Sequence, residues 1–399
     1  MKVLIVNKFL HPNGGSETYI FKLGEELKKQ GHEVQYFGME HEKRIVGNHA
    51  GCYTANMDFH TGKLQKLLYP FKIIYSREAK QKMYTVLQDM QPDVVHLNNF
   101  NFQLTPSIIY AIKKYNKRYG KNVRLVYTAH DSQLVCPNHL MQNPITRECC
   151  EACLTKGVGQ CAKRKCIHGS RIKSLLGTIE AKLYKMRKTY RMIDTIICPS
   201  RFLKEKLDSD AILRERTVVL HNFVDRQMDT TGLEKKEYVL YFGRYSEEKG
   251  IRTLASACKE LPEIPFHFAG GGPLEAELKA LPNVELLGFL SGEALVKEIA
   301  QASFVVFPSE WYENCPYTVI ESQIYGTPVI ASNKGGTPEL IEDGQTGELF
   351  ESGNVQVLSD MIHTLWQDRE KLARYTENCK NVQFDNAKQY VEKLMKIYQ

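Results

Sequence analysis

The sequence predicts an α/β protein in which two domains each fold as a doubly wound parallel sheet covered by helices. Residues 2–31 have the pattern of a strand, a loop with two glycines and a helix, which is the first unit of such a sheet. Short apolar runs alternate with helical stretches up to residue 220, and a second series of the same kind begins at Tyr238. A chain of 399 residues is long enough for two domains that each bury a core.

Composition favours a soluble globular protein in a reducing compartment. The chain is 43% hydrophobic and 25% charged, without the run of about 18 apolar residues that spans a membrane. The first apolar run, residues 1–6, is too short for a signal peptide. Eleven cysteines without such a signal are typical of free thiols or metal ligands rather than a disulfide framework. We therefore expect a cytoplasmic protein.

The elements of the first domain alternate in chain order. Strand Lys2–Val6 leads through a loop to a helix that ends at Gly31, and the loop lacks the Gly-x-Gly-x-x-Gly pattern of dinucleotide sites. Gly14 and Gly15 would let the backbone approach a ligand closely, although an ordinary turn would use them equally well. Further strands are predicted at residues 33–37, 94–97, 124–128, 195–198 and 217–220.

Histidines occur where two of these strands end. His96 lies in the strand 94–97, and His130 follows the strand 124–128 with Asp131 beside it. Because ligands bind at the carboxyl ends of parallel strands, we expect both histidines at that edge, where Asp131 could orient the imidazole of His130. A purely structural role for a loop histidine is the alternative.

The stretch 304–328 carries the strongest indication of function. Apolar residues 304–308 predict a buried strand, and residues 317–325 predict a helix that ends at Gly326. A helix that begins just after a strand directs N–H groups and a partial positive charge toward one point, which favours an anion. Glu313 and Glu321 flank that point and are suited to bind hydroxyl groups. The stretch therefore indicates a nucleotide sugar, with two unrelated surface carboxylates as the alternative.

Three motifs, in this order, resemble the retaining glycosyltransferases of family 4. They are Glu313-x7-Glu321, the Gly-Thr-Pro-Val-Ile-Ala run at 326–331 and the Gly-Gly-Thr-Pro-Glu-Leu run at 335–340. The resemblance implies the GT-B architecture, in which two Rossmann-like domains face each other across a cleft and a C-terminal helix crosses back to the first. It implies an acceptor-side domain of residues 1–222 with a final helix at 386–399, and a donor-binding domain of residues 236–380.

One departure from the family pattern follows the first glutamate. Many members have Gly-Phe-Gly there, whereas this chain has Asn314-Cys315-Pro316. Pro316 has no N–H group, so we expect the phosphate contacts to come from the backbone of Tyr317 and Thr318.

The resemblance also implies roles for individual residues. Arg244 and Lys249 would clamp the donor diphosphate, Glu313 would bind the sugar hydroxyls and Glu321 the ribose, while His130 would lie near the donor sugar. As catalytic residues we therefore predict Glu313, His130, Arg244 and Lys249. The predicted donor-binding residues are Gly14, Gly15, Gly243, Arg244, Lys249, Leu287, Gly288, Tyr317, Thr318 and Glu321, with Phe289 beside the base.

The implied reaction is the retaining transfer of a hexose-type sugar from a UDP- or GDP-linked donor, with no cofactor required. The implied acceptor is a glycan or a polyprenyl-diphosphate-linked sugar in surface polysaccharide assembly. Two alternatives stay open. One is a nucleotide-sugar epimerase of the same architecture, and the other is a non-catalytic module that binds a nucleotide sugar or a membrane surface.

Basic charge is concentrated in an insert at about residues 136–191. Residues 163–191 contain ten Lys or Arg and one acidic residue, Glu180, so this segment carries +9 while the whole chain carries +7. Apolar residues at helical spacing from Leu175 to Tyr190, and a second basic stretch from Lys63 to Lys82, indicate an anionic membrane surface at the inner face of the cell membrane. A core-facing helix with a solvated basic back is the alternative, and no motif supports nucleic acid.

The insert also contains six cysteines. Cys150-x2-Cys153-x7-Cys161-x4-Cys166 could supply four thiolates to a structural zinc ion, which would order a segment with little apolar core. The second spacing is not that of a standard zinc ribbon, so free or disulfide-linked thiols are the alternative.

Overall fold

The computed structural model describes residues 1–55 and 73–399. These residues form two compact units, unit 1 (residues 1–221 and 387–399) and unit 2 (residues 222–386). Within the described ranges, no helix combines the length and the apolar character needed to cross a membrane. The first part of the basic stretch predicted at Lys63–Lys82, up to residue 72, lies outside the described residues.

Unit 1 is built on a six-stranded parallel sheet with the order β2-β1-β3-β4-β5-β6. Both faces of this sheet are covered by helices, so its central strands are continuous apolar runs rather than alternating ones. The strands are β1 (Lys2–Val6), β2 (Glu33–Phe37), β3 (Val94–Leu97), β4 (Arg124–Thr128), β5 (Thr195–Cys198) and β6 (Thr217–Val219).

The helices of unit 1 connect these strands or belong to the insert. Those before the insert are α1 (Gly15–Lys29), α2 (Arg77–Met90) and α3 (Ser107–Tyr119). The insert contains α4 (Ala152–Lys156), α5 (Gln160–Lys163) and α6 (Arg171–Met186). A 3₁₀ turn (Thr189–Met192) follows, and α7 (Arg201–Leu207) and α8 (Ala211–Arg214) lie on either side of a short turn.

The last helix of the chain, α15 (Ala387–Tyr398), packs in unit 1. Its Tyr390 hydroxyl lies 2.8 Å from the hydroxyl of Tyr19. Its Tyr398 hydroxyl lies 2.7 Å from Nδ1 of His96, whose Nε2 lies 2.7 Å from Oγ1 of Thr128. Burial lowers the pKa of His96 to about 3, so the ring is neutral. His96 is therefore a core residue that secures α15, and its expected place at the ligand-binding edge is wrong.

Unit 2 has a second six-stranded parallel sheet with the order β12-β11-β10-β7-β8-β9. This confirms the predicted fold class of two doubly wound sheets. The strands are β7 (Val239–Arg244), β8 (Phe266–Gly271), β9 (Val284–Gly288), β10 (Phe304–Phe307), β11 (Val329–Ser332) and β12 (Gly347–Phe350).

The helices of unit 2 cover both faces of its sheet. They are α9 (Ile251–Glu260), α10 (Glu275–Lys279), α11 (Gly292–Gln301), α12 (Tyr317–Ile324), α13 (Val355–Gln367) and α14 (Arg369–Asn381), with 3₁₀ turns at Glu247–Lys249 and Thr337–Leu340. Residues 222–236 form no helix or strand but pack on this unit, because Val224 is buried in its core and donates a backbone hydrogen bond to Asp385.

Candidate active site

The candidate site lies at the carboxyl ends of two adjacent parallel strands in unit 2. Strands β7 and β10 pair directly, with Phe304 opposite Val239. Strand β7 ends at Gly243 and Arg244 and continues into the 3₁₀ turn that carries Lys249. Strand β10 continues into the loop that carries Glu313 and then into α12. Because parallel strands end at the same edge of a sheet, residues far apart in sequence meet here.

Glu313 is the best-anchored side chain of this edge. Its Oε1 atom accepts hydrogen bonds from Lys249 Nζ at 2.6 Å, from Trp311 Nε1 at 2.6 Å and from Ser309 Oγ at 2.7 Å. The ammonium group of Lys249 also lies 4.9 Å from the centre of the Trp311 ring, which is a cation–π distance. All three donors reach one oxygen of the carboxylate.

The electrostatics of Glu313 result from two opposing effects. Burial by itself would raise the pKa of its carboxyl group. Lys249, together with the hydrogen bonds from Trp311 and Ser309, outweighs burial and lowers the pKa below its ordinary value. Glu313 is therefore ionised at neutral pH and forms a largely buried ion pair with Lys249.

Two glycines allow this loop to pack closely on its neighbours. Gly335 has a φ of +64°, and a Cβ atom there would lie 2.3 Å from the backbone oxygen of Glu313. Gly250 has a φ of +70°, and a Cβ atom there would lie 1.9 Å from the backbone oxygen of Pro308. The amide of Gly336 donates a hydrogen bond to the backbone oxygen of Glu313 at 2.8 Å. Glycine at these two positions lets the neighbouring backbone pack directly against Pro308 and Glu313, because a side chain there would clash.

Arg244 extends from the end of β7 into a more open position. Its side chain is 62% exposed, and its Nη2 atom lies 3.7 Å from Oε1 of Glu248. An ion pair at that exposure contributes little to stability. The guanidinium group is therefore accessible to an anion at the same edge as Lys249.

The N-terminus of α12 completes the edge. Pro316 precedes the helix and caps it without a side-chain hydrogen bond, and Tyr317 and Thr318 are its first two residues. The amide groups of a first helical turn have no partner within the helix and carry a partial positive charge. Glu321 lies one turn further along α12 and is partly buried.

The residues predicted beside the nucleobase lie at the end of the edge strand β9. Gly288, its last residue, has a φ of +68°, and Phe289 after it is exposed. Because β8 lies between β7 and β9 in the sheet, Leu287 and Gly288 share the edge with Arg244 but do not adjoin it. The structure thus pairs Lys249 with Glu313, places Arg244 at the same sheet edge, and leaves the predicted base contacts two strands from Arg244.

In unit 1, His130 is held by a residue that sequence reasoning missed. Its Nε2 lies 2.8 Å from Oδ1 of Asn98, and Nδ2 of Asn98 donates to the backbone oxygen of His96 at 3.3 Å. The second bond orients the amide, so Nε2 of His130 carries the proton and Nδ1 is an acceptor. Burial lowers the pKa of His130 to about 4, although Asp131 acts in the opposite direction. His130 is therefore neutral near pH 7.

Asp131 does not make the hydrogen bond to His130 that the sequence suggested. Its Oδ1 accepts the amide of Gln133 at 2.9 Å, and its Oδ2 lies 3.6 Å from Nδ1 of His139. Asn98 follows β3, the strand beside β4, and this adjacency could have been inferred only from the strand order.

Gly14 and Gly15 begin helix α1. Gly14 is extended, with a φ of −176°, and its backbone oxygen accepts the amide of Thr18 at 3.1 Å. A Cβ atom on Gly14 would meet Glu17 Oε2 at 3.6 Å, which is an ordinary contact. Packing within unit 1 therefore does not require a glycine at this position.

The predicted zinc site is not supported. Among the residues that the structure describes, which include all six cysteines of the insert, no three His, Cys, Asp or Glu side chains are arranged to hold a metal ion. Cys161 and Cys166 are buried, and Cys150 accepts a 3.7 Å contact from Arg164. The thiols of Cys150, Cys153, Cys161 and Cys166 are therefore not grouped as a tetrathiolate.

Solved structures with the same fold align with the whole chain. HepE from Anabaena in complex with UDP aligns with a TM-score of 0.65 and 18% identity, covering 100% of this chain and 99% of that one. At this identity the likeness shows the fold alone. The two Rossmann-like units therefore have the GT-B architecture.

Family models assign the chain more closely. The model described as Glycosyltransferase Family 4 matches residues 13–227, and the model described as Glycosyl transferases group 1 matches residues 224–382. The first of these covers more than half of the chain. The chain belongs to glycosyltransferase family 4.

Two curated relatives match different shares of the chain. An uncharacterized 42.6 kDa protein in the cps region of Klebsiella pneumoniae is 24% identical over 362 residues, covering 85% of this chain and 87% of that protein. The uncharacterized glycosyltransferase MJ1178 of Methanocaldococcus jannaschii is 29% identical over 220 residues, covering 54% of this chain and 61% of that protein. The chain thus spans less than two thirds of MJ1178, and the Klebsiella protein is itself uncharacterized, so neither likeness establishes an activity or a substrate.

Proposed function

We propose that this chain is a retaining glycosyltransferase that binds a nucleoside-diphosphate sugar at the edge formed by β7, β10 and α12 of unit 2. The observation that carries the proposal is the largely buried Lys249–Glu313 ion pair at the same sheet edge as the accessible guanidinium group of Arg244. Two cations and a helix N-terminus suit a diphosphate, and a buried ionised carboxylate suits sugar hydroxyls.

The cations act on the leaving group. When the bond between the anomeric carbon and the phosphate oxygen breaks, the diphosphate takes the electron pair and its negative charge increases. Lys249 donates one of its N–H groups to Glu313 and has two more for phosphate oxygens, while Arg244 supplies a fork of donors. Fixed cations stabilise this charge without a metal ion.

Glu313 orients the sugar through its second oxygen. Oε1 takes all three donors described above, and no donor of the described chain is placed on Oε2. A sugar hydroxyl that donates to Oε2 would therefore be held by a carboxylate whose position is already fixed. In unit 1, Nδ1 of the neutral His130 is an acceptor for a hydroxyl group.

The acceptor hydroxyl attacks the anomeric carbon on the face that the diphosphate leaves. The new carbon–oxygen bond forms on that face, and the acceptor proton passes to a phosphate oxygen of the leaving group. The anomeric configuration is thereby retained. No second carboxylate is required as a nucleophile, because the leaving phosphate acts as the base.

The chemistry of the site and the relatives support a choice of substrates. We take UDP- or GDP-linked hexose as the donor, and the HepE complex contains UDP. We take a glycan or a polyprenyl-diphosphate-linked sugar in surface polysaccharide assembly as the acceptor, because the Klebsiella relative lies in a cps region. With such an acceptor, the proposed enzyme would work at the cytoplasmic face of the membrane.

Product analysis tests the proposal. Purified protein is incubated with UDP- and GDP-hexoses, with and without a glycan acceptor, and the product linkage is assigned by NMR. We expect a product only when an acceptor is present, with the anomeric configuration of the donor. Conversion of the donor without acceptor would indicate the epimerase alternative, and donor binding with neither reaction nor hydrolysis would indicate a binding module. An inverted linkage would exclude the retaining mechanism.

A further inference from the structure

Helix α6 exposes its large aliphatic residues and buries its small and polar ones. Ile172, Leu175, Ile179 and Met186 are 74%, 52%, 43% and 75% exposed. The residues of the opposite face are buried, and they are Ser174, Gly177, Thr178, Glu180 and Tyr184. A surface helix normally has the reverse arrangement, with its apolar stripe toward the core.

Contacts of the inner face fix the helix in this rotation. A Cβ atom on Gly177 would lie 2.5 Å from Cδ1 of Ile167. Ser174 Oγ accepts the amide of Ile167 at 2.9 Å, and Thr178 Oγ1 donates to the oxygen of Val158 at 3.4 Å. The insert segment 158–167 thus fills the space against α6. The helix cannot turn its aliphatic residues inward without losing these bonds and creating a clash.

The exposed residues form one narrow stripe. Positions 172, 175, 179 and 186 fall within about 60° of arc at about 100° per residue. Half-buried Leu176 and Leu183 continue the stripe on one side. Such a strip of exposed aliphatic surface along 16 residues of helix is unusual for a protein face that meets only water.

Basic residues flank this stripe on both sides. At about 100° per residue, Arg171 and Lys182 lie along one side, and Arg187, which follows the last helical residue, lies on the other. All three are exposed, as is Lys173 in the first turn. No carboxylate of residues 1–55 or 73–399 forms an ion pair with any of them, whereas the neighbouring Lys185 pairs with Asp210 at 2.8 Å. Unpaired positive charge therefore borders one side of the apolar stripe at both ends and the other side at the carboxyl end.

We propose that this stripe, formed by Ile172, Leu175, Ile179 and Met186, docks into the interface of an anionic lipid membrane. An apolar stripe between two basic borders is the pattern of a helix that lies in the plane of a membrane, with its aliphatic side chains among the acyl chains and its cations at the head groups. A second copy of this chain is a poor occupant, since two such helices would bring like charges together. The membrane contact itself does not depend on the proposed function. Only its role rests on that function, and this role is to bring the enzyme to a lipid-linked acceptor.

Vesicle binding by the full chain tests this inference. Cosedimentation is measured with vesicles of phosphatidylcholine alone and of phosphatidylcholine with phosphatidylglycerol. We expect binding only to the anionic vesicles, and weaker binding as salt rises, because the Debye length falls. Each basic residue near an anionic surface changes binding about fivefold. Lys182→Gln with Arg187→Gln should therefore weaken binding roughly 30-fold. The matched pair Lys113→Gln with Lys117→Gln, exposed on α3, should leave it unchanged.

A second set of variants tests the apolar stripe itself. Ile179→Gln with Met186→Gln should abolish binding, while Ile45→Gln with Ile145→Gln, at positions 60% and 61% exposed in the same unit, should not. An Ile179→Trp variant should show a blue shift of tryptophan emission with anionic vesicles, and Ile145→Trp should not. The helix positions are exposed, so these substitutions leave the fold intact.

Three results would overturn the inference. They are equal binding to neutral vesicles, binding that survives loss of the stripe, and a stripe-dependent dimer in analytical ultracentrifugation without lipid. Transfer to a water-soluble acceptor is measured in the same variants and should be unchanged. If no transfer occurs in any protein but vesicle binding follows the stripe, the proposed function fails while this inference stands.

Discussion

Lys249 Nζ lies 2.6 Å from Oε1 of Glu313, although 64 residues separate them in sequence. The contact exists because β7 and β10 are neighbours and release both loops at one edge. Removing one partner of a buried ion pair leaves an uncompensated charge, which costs about 3–5 kcal/mol. The same two residues therefore contribute both to the stability of unit 2 and to the proposed active site.

Substitution of Glu313 should change how stability depends on pH. The carboxyl pKa lies below its ordinary value of 4.5, so the ion pair stabilises the folded state fully above that pH and is lost as the pH falls through the folded-state pKa. We expect Glu313→Gln to be less stable than the wild type by a constant amount above about pH 4.5. The difference should shrink in more acidic solution, as followed by urea unfolding from pH 3 to 8.

The same variant separates folding from catalysis. Glutamine retains an acceptor for Lys249, Trp311 and Ser309 but loses the charge that holds a sugar hydroxyl. We expect Glu313→Gln to remain folded at pH 7 and to lose about 100-fold or more in kcat, a typical loss for an electrostatic group of an active site. Near-normal kcat would remove Glu313 from the catalytic site.

Gly335 should be required for a steric reason beyond its backbone angle. Gly335→Ala places a Cβ atom 2.3 Å from the backbone oxygen of Glu313. At Gly344, which has a similar φ of +73°, the Cβ atom of an alanine meets nothing within 4 Å. Left-handed geometry alone costs an alanine about 1–2 kcal/mol. We therefore expect both variants to lose stability in urea unfolding, but only Gly335→Ala to lose donor turnover. Equal turnover in the two would show that the contact does not position Glu313.

Glu180 should make unit 1 less stable as the pH rises. Burial raises the pKa of its carboxyl group to about 8 from an ordinary 4.5. The folded state thus keeps a proton that the unfolded chain loses above pH 4.5. Stability falls with increasing pH over that interval, by about 1.4 kcal/mol for each pKa unit. We expect Glu180→Gln to unfold at a higher temperature than the wild type at pH 8 and at a similar one at pH 4.5, as measured by calorimetry. No gain at pH 8 would contradict this assignment.

Removing one hydroxyl group should show how much the contact between α15 and the core of unit 1 contributes to stability. Tyr398→Phe removes the partner of His96 Nδ1, and a buried polar atom left without a partner costs about 1–3 kcal/mol. Tyr119→Phe removes a hydroxyl that bonds Gln88 at the surface, so its cost should be small. Denaturant unfolding of both variants gives the comparison, and equal stability would mean that His96 does not secure α15.

Much of the fold could be predicted because buried parallel strands are short, continuous apolar runs. The first five predicted strands coincide with β1 to β5, and the strands predicted at residues 238–242, 266–269 and 284–287 end one or two residues before β7, β8 and β9 do. The extra residues include Gly243, Arg244 and Gly288. Glycine in a sequence usually indicates a loop, so the predicted strands ended before these positions. The alternation of strands and helices therefore fixed the sheet class, and glycine obscured the strand ends.

The partners of site residues could not be predicted, because each depends on strand order or loop conformation. Asn98 reaches His130 from a neighbouring strand, and Tyr398 reaches His96 across 302 residues. Trp311 and Ser309 lie beside Glu313 in sequence, but only the folded loop turns their donors onto one oxygen. The sequence predicts that α6 is amphipathic. It does not predict which face is buried, because that depends on the packing of residues 158–167 against the helix.

Titration of nucleotide binding tests the role of the Lys249–Glu313 edge most directly. Calorimetric titration with UDP, GDP and ADP is carried out on the wild type, Lys249→Gln and the control Arg252→Gln, whose exposed guanidinium pairs with Glu277 at the surface. A charged hydrogen bond contributes about 1.5–3 kcal/mol, so Lys249→Gln should raise the Kd of the bound diphosphate about 10- to 150-fold. Arg252→Gln should bind like the wild type. An unchanged Kd in Lys249→Gln, or no binding of any nucleoside diphosphate to the wild type, would contradict the assignment.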